Sequence, residues 1–272
     1  MSIYKKTYPT FTIITVTLNN FEGLTNTAAS IDRQTFDDFE WIVVDGASKD
    51  ESLDFLRQRR STKRTEKYPF AFISEEDNGI YDAMNHGITQ ASGKYLLFLN
   101  AGDVFAHNDV LSEIAPHTKK KPNFIYGDAL EPTGKAESYN YKKARRYKDI
   151  QWGMITHHQA MFYSRLTIRD CKLHYSLLYT VSSDYDFTLR FLQKSRKCSY
   201  YAKPICIFEQ GGLSQQQAAL GRKEQYIIRE KLHLIPTYKN LWIMIVQMGT
   251  WHIKKHIPQL YWLLQKVRRD RS

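Results

Sequence analysis

Apolar residues in the first half of the chain come in short runs, separated by longer stretches with helical spacing. FTIITVT (11–17), FEWIVVD (39–45), FAFIS (70–74) and Tyr95-Leu96-Leu97-Phe98-Leu99 have the length and the β-branched or aromatic content of buried strands. The stretches 23–33, SLDFLRQRR (52–60) and 80–91 between them predict helices. In the last of these, Ile80, Ala83, Met84, Gly87, Ile88 and Ala91 recur as one core-facing stripe, with Tyr81 and Asn85 on another face. Ser48 or Asp50 is placed to cap the second helix, and Asp77 or Asn78 the third. Strict strand–helix alternation predicts an α/β fold, Rossmann-like, with a mostly parallel sheet flanked by helices. Ligands of such sheets bind beyond the carboxyl ends of the strands. Asn19, Asp45, Asp77 and Asp103 all fall there.

The second half is less regular. FIYGD (124–128), HHQAMFY (157–163) and PICIFEQGGLS (204–214) predict strands, the last ending in a Gly-Gly turn. SSDYDFTLRFLQK (182–194) predicts a helix with Tyr185, Leu189 and Leu192 toward the core and Asp186 on a surface or capping contact. KKARRYK (142–148), with five basic residues, predicts a solvated loop.

Composition narrows the classes. Lys and Arg outnumber Asp and Glu by 39 to 28, a formal charge of +11, which favours an anionic partner such as a nucleotide, nucleic acid or membrane surface. Cys171, Cys198 and Cys206 are few, odd in number and lack CxxC spacing, which suits a reducing cytosol and argues against a disulfide framework or a cysteine zinc site. The first fifteen residues lack the design of a signal peptide, and no run approaches the ~20 apolar residues of a membrane span.

The chemistry concentrates in a few carboxylates. Asp103 beside Gly102 suits a hard cation such as Mg²⁺ or Mn²⁺, which takes oxygen ligands, keeps waters and often shares them with phosphates; the alternative is a turn cap. Asp184, at a predicted helix amino end, is either a cap stabilised by the dipole or, if it opens on a cleft, a general base. The pair His157 and His158 lacks further metal ligands at readable spacing.

Taken together, IITVTLNN, WIVVDGAS, SEEDNGIYDAMNHGI, YLLFLNAGDVF, FIYGD, HHQAMF, SSDYDFTLRF and IFEQGGLS resemble glycosyltransferase family 2, from about Phe11 to Ser214. The subset DNGIYDAMN with FLNAGD is similar to bacterial capsule and exopolysaccharide enzymes. The resemblance implies a GT-A fold and inverting transfer from a nucleotide-sugar, commonly a UDP-sugar, with a divalent metal. It implies that Val16, Thr17 and Asn19 touch the nucleotide and that Asp45 binds the base. Asn78, Tyr81 and Asn85 fall in or beside the family signature Gly-x-x-x-Ala-Arg-Asn-x-Gly, which begins here at Gly79. Asn100, Ala101 and Gly102 lie against the donor, Asp103 on the metal, His158 on the acceptor side, and Asp184 acts as the catalytic base. Three positions depart from the pattern: Asn100 stands for the first carboxylate of the DxD-like motif, Gly102 for its third position, and Met84 for the signature arginine.

Two other classes compete. A nucleic-acid-binding module would need a recognisable module, and none is present. A non-catalytic sugar-nucleotide sensor would not need Asp184. The expected organisation is a catalytic domain over 1–235, divided into a nucleotide-sugar half (about 1–128) and an acceptor half (about 129–235), followed by a helical appendage over 236–272. That appendage mixes Trp242, Trp251, Tyr261 and Trp262 with Lys266, Arg268, Arg269 and Arg271, and Pro258 splits it. It reads either as packing on the protein or as an interfacial anchor on anionic lipid, suited to a lipid-linked acceptor.

Overall fold

The computed structural model describes residues 8–61, 67–134, 138–209 and 211–256. The first half alternates as expected: β1 (Phe11–Thr17), α1 (Phe21–Asp32), β2 (Phe39–Asp45), α2 (Ser52–Arg60), β3 (Phe70–Ser74), α3 (Ile80–Gln90) and β4 (Tyr95–Phe98). Then follow β5 (Val104–Phe105), α4 (Val110–Thr118), β6 (Phe124–Pro132), β7 (Tyr139–Lys142), β8 (Met161–Ser164), α5 (Arg165–Asp170), α6 (Ser183–Lys194), β9 (Cys198–Ile207), α7 (Leu213–Gln216), α8 (Ala218–Lys231) and α9 (Thr237–His256).

The strands form one sheet in the order β3-β2-β1-β4-β8-β6-β9-β5, with β7 on β6. β1, β2, β3 and β4 are parallel, as predicted. The rest is mixed: β8 is antiparallel to both β4 and β6, and β6 is parallel to β9. The expected parallel pairing runs through the alternating half and recurs between β6 and β9, while antiparallel pairs join the rest. Parallel neighbours need a crossover helix, and β7 and β8 are reached by loops and short 3-10 turns.

Each strand's pleat divides its residues between two cores. Phe11 and Ile13 pack with Leu24, Ala28 and Ile31 of α1 and with Leu56 of α2. Ile14 and Val16 pack with Ala83 and Met84 of α3 and with Phe187, Leu189 and Phe191 of α6. Removing one such side chain to Ala costs roughly 2–5 kcal/mol. Register aligns the strand ends, since Thr17 pairs with Asp45 and Asp45 with Ser74. Gly87 lets α3 lie close on β1, because a Cβ there would sit 2.4 Å from Ile14 Cγ2.

Three local expectations are corrected. HHQAMFY is not one strand: His158–Ala160 form a 3-10 turn, and β8 begins at Met161. KKARRYK is not simply a solvated loop, since Lys142 ends β7 and Tyr147 begins another 3-10 turn. Asp186 is 5 % exposed and takes two hydrogen bonds from Arg190, one helical turn on, so it is a buried ion pair rather than a surface contact.

α9 packs on α8 through buried polar pairing. Arg229 Nε donates to Asn240 Oδ1 at 2.6 Å, and Asn240 Nδ2 donates to Tyr226 O and Glu230 Oε1. Trp152 meets Trp242 edge to face at 5.4 Å. Among the described residues no helix is long and apolar enough to cross a membrane. Pro258, Tyr261, Trp262 and the basic run ending in Arg271 lie outside the described residues.

Candidate active site

A cavity of about 730 Å³ opens beyond the ends of β1 and β4. Val16, Thr17, Asn20, Asn100, Ala101, Asp103, His158, Ser182 and Asp184 line it. Lys142, Arg145 and Arg222 also line it and bring positive charge to a space suited to an anion.

The β4–β5 turn is held from α1. Thr27, fully buried, accepts from Gly102 N at 3.0 Å and donates to Asp103 O at 2.8 Å. Asn20 Nδ2 donates to Ala101 O, and Asn20 Oδ1 caps α1 at Gly23 N. Asp103 is 3 % exposed. Its Oδ2 accepts from Gln159 Nε2 at 2.7 Å and its Oδ1 from Glu209 N at 2.9 Å. Burial pushes its carboxyl up to about 6, against those bonds and the nearby His158. Each oxygen keeps a lone pair beyond its hydrogen bond. Asn100 Nδ2 stands 3.4 Å from His158 Nε2, and Asn100 Oδ1 is buried without a partner.

The other ring nitrogen of His158, Nδ1, lies 3.5 Å from Asp184 Oδ2. Asp184 sits in the first turn of α6, where its Oδ1 accepts from Tyr185 N. The segment entering α6 is fixed by Glu224 of α8, whose carboxylate accepts from Thr180 N, Val181 N and Ser182 N at 2.8–3.0 Å. A further anchor is Tyr81, whose hydroxyl donates to Val181 O while its ring stacks on Tyr175.

The remaining candidates lie apart from this centre. Asn85 is not in the cavity wall: it clamps Tyr175, accepting from its N at 2.7 Å and donating to its O at 3.0 Å. Asn78 donates to Asp82 Oδ2, which lies one turn into α3. Asn19 knits two loops, donating to Ser48 Oγ and accepting from Lys49 N. Asp45 is fully buried, with hydrogen bonds from Ser74 Oγ and from Ser48. The structure thus gathers Val16, Thr17, Tyr81, Asn100, Ala101, Asp103, His158 and Asp184 in one cavity wall, and leaves Asn19, Asp45, Asn78, Asn85 and Gly102 behind or beside it.

Sequence reasoning passed over Thr27, Gln159, Glu209 and Glu224. Gln159 and Glu209 lie inside motifs quoted for the resemblance, HHQAMF and IFEQGGLS. Thr27 and Glu224 sit in helices with no local signal, because their partners are 75 and 42–44 residues away. His157 also lines the cavity, with its ring stacked on Phe208 and its Nε2 2.8 Å from Glu131 Oε1. The hydrogen bond from His157 brings the Glu131 carboxyl down to about 2, while burial lowers the His157 imidazole.

Residues 12–184 match the sequence profile of Glycosyl transferase family 2. The chain is 32% identical over 217 residues to a PGL/p-HBAD biosynthesis glycosyltransferase of Mycobacterium bovis, covering 76% of this chain and 79% of that protein. It is 30% identical over 189 residues to an uncharacterized glycosyltransferase of Mycobacterium tuberculosis, covering 67% and 68%. Its fold is similar to S. aureus TarS 1-349 in complex with UDP-GlcNAc, at TM-score 0.67, 16% identity and coverage of 90% of this chain and 72% of that one. A mannosyltransferase of Pyrobaculum calidifontis in complex with GDP-Man and Mn²⁺ superposes at TM-score 0.65 and 14% identity, covering 98% and 82%. The chain belongs to glycosyltransferase family 2 and has the GT-A fold.

Among the described residues no group of three or more His, Cys, Asp or Glu is placed to hold a metal. That does not disqualify a hard cation, which needs only one or two carboxylates when waters and a diphosphate complete its shell. Asp103, with a free lone pair on each oxygen, and the orphaned Asn100 Oδ1 fit such an ion.

Proposed function

We propose that this glycosyltransferase moves a sugar from a nucleotide-sugar, a UDP-sugar by family habit, to a hydroxyl of a bacterial surface glycan carried on lipid, with inversion at the anomeric carbon. One observation carries the reading: Asp184, Asn100 and Asp103 line one cavity, and His158 bridges Asp184 to Asn100. Val16 and Thr17, which line the cavity, contact the nucleoside, with Asn19 and Asp45 bracing the loops behind them; Tyr81 and Asn85 on α3, and Asn78 just before it, shape the donor side. Asn100, Ala101 and Gly102 lie along the diphosphate.

The acceptor hydroxyl enters beside His158. Asp184 takes its proton as the oxygen attacks the anomeric carbon, and the nucleoside diphosphate leaves in the same displacement. A divalent cation, Mn²⁺ or Mg²⁺, bound at Asp103 would supply Lewis-acid neutralisation of that leaving group. His158 orients the Asp184 carboxylate through Nδ1, while Asn100 faces its other ring nitrogen.

The appendage over 236–272 is read as the membrane-facing part, at the cytoplasmic face of the inner membrane. In support, Tyr238, Leu241, Trp242 and Ile245 on α9 are 44–78 % exposed. Aromatic and aliphatic side chains of this kind sit at headgroup level, and each nearby Lys or Arg adds about 1 kcal/mol on anionic lipid.

The deciding experiment is a thermal-shift and turnover screen of UDP-, GDP- and dTDP-sugars with and without Mn²⁺. A donor that binds only the folded state raises its stability by RT ln(1 + [L]/Kd). Absence of any stabilisation by nucleotide-sugars overturns the reading. Shift without transfer to any acceptor would leave the sensor alternative standing. NMR of the product's anomeric configuration tests inversion.

A further inference from the structure

We propose that Glu209 supplies the second carboxylate of the cation site, in the space that Gly102 leaves open; this rests on the metal reading of Asp103 above. Gly102 has φ +101°, and a Cβ built on it would lie 1.7 Å from Glu209 Oε2 and 2.5 Å from Glu209 Cδ. The Glu209 carboxylate therefore occupies the volume that a side chain at position 102 would fill. Glu209 stands just beyond β9, and the glycine of the β4–β5 turn leaves room for its carboxylate.

The placement is fixed by the main chain. Glu209 N donates to Asp103 Oδ1 at 2.9 Å, so the two carboxylate-bearing residues are tied together at the cavity wall. The Glu209 carboxylate itself makes no hydrogen bond or ion pair with any described residue. Among the described residues no lysine or arginine pairs with it, and Glu22, a like charge, acts on it. Two carboxylates brought together without a cation are unfavourable, and a bound divalent ion reverses that.

A second observation is independent of the acids. Gln159 is 1 % exposed and lines the same cavity. Its Nε2 is committed to Asp103 Oδ2, which fixes the amide's orientation, and its Oε1 has no partner. Asn100 Oδ1, in the same wall, is likewise buried and unpartnered. An acceptor buried without a donor is costly to leave so, and both oxygens await a donor or a cation. The donor set is therefore all oxygen: two carboxylates and two amide carbonyls. That chemistry selects Mg²⁺ or Mn²⁺ over Zn²⁺ or Cu²⁺.

The test is Mn²⁺ binding, read from the loss of the free-ion electron paramagnetic resonance signal and by calorimetry, with and without UDP. Wild type, Glu209→Gln, Glu209→Ala and Asp103→Asn are compared, with melting curves as the folding check. Loss of a direct ligand should weaken Mn²⁺ binding by about tenfold or more. We expect that loss in both Glu209 variants, with melting near wild type because the carboxylate makes no internal bond. If both Glu209 variants bind Mn²⁺ like wild type while Asp103→Asn does not, the Glu209 role is overturned and the Asp103 reading stands. If wild type itself takes up no Mn²⁺, with or without UDP, both fall together.

Discussion

His158 Nδ1 stands 3.5 Å from Asp184 Oδ2, while its other ring nitrogen lies 3.4 Å from Asn100 Nδ2. One imidazole thus links the β4–β5 turn to the first turn of α6. The amide nitrogen of Asn100 leaves Nε2 as the acceptor and puts the proton on Nδ1, facing the carboxylate. From this the first prediction follows. Asp184→Asn should keep the helix turn and donor affinity and lose about 10²–10⁴ in turnover, the usual worth of a general base. His158→Gln should cost less and should change the pH dependence of kcat/KM, since it alters the group that orients the base. Steady-state rates over pH 5.5–9 with a confirmed donor check both. Turnover of Asp184→Asn near wild type would make Asp184 a cap only.

Asp103→Asn tests the donor side. The new amide can accept from Glu209 N, but its NH₂ then faces Gln159 Nε2, donor against donor. A buried polar group left unsatisfied costs about 1–3 kcal/mol, so melting should fall modestly. Calorimetric titration with UDP should show the larger effect only when Mn²⁺ is present. Equal loss with and without metal would mean that Asp103 shapes the turn rather than holding an ion.

Glu224 is expected to be the residue whose loss is felt farthest from its own helix. It satisfies the backbone N–H groups of Thr180, Val181 and Ser182. Glu224→Ala leaves these donors without their acceptor, at about 1–3 kcal/mol for each one that stays buried. We expect a clear drop in melting temperature together with reduced kcat, because the segment that delivers Asp184 loses its anchor. Glu224→Gln should recover part of both. Retention of wild-type kcat in a destabilised Glu224→Ala would separate stability from positioning and refute the second half of this expectation.

Acid stability should depend on Glu131. Its carboxyl sits at about 2 in the folded protein, held down first by the hydrogen bond from His157, against an ordinary value of 4.5. Because the folded value is depressed, the contribution is fully present above about pH 4.5 and is lost as pH falls toward 2. Urea melts of wild type and Glu131→Gln at pH 7, 5 and 3 should therefore differ most at the two higher values and converge toward the lowest. A constant gap across the series would rule out titration of Glu131 as the cause.

Gly87→Ala separates packing from ligand contact. A Cβ there meets Ile14 Cγ2 at 2.4 Å, so α3 must lift from β1. Overpacking of this kind costs about 1–3 kcal/mol, offset in part by the better helix propensity of Ala. Melting should fall while the Kd for nucleotide stays within a few-fold of wild type.

Local pattern was enough to place β1 through β4 and the helices between them, because pleat and helix periods are written in neighbouring residues. It also located the strand-end turns, so Asn100, Asp103 and Asp184 were legible as candidates before any geometry. Only tertiary structure could decide which polar side chains face one another. Asn85 shares a signature with the donor side, yet its amide is spent on Tyr175, 90 residues on. Asp186 reads as a surface contact but is buried against Arg190. Glu209 carried no readable role, because its meaning lies in the space above Gly102, a residue more than a hundred positions earlier in the chain. The antiparallel insertion of β8 between β4 and β6 likewise escaped the pattern, since strand order is set by long-range pairing and not by local periodicity. Hydrophobic spacing dictates which elements form; the contacts between distant elements dictate what their polar ends can do.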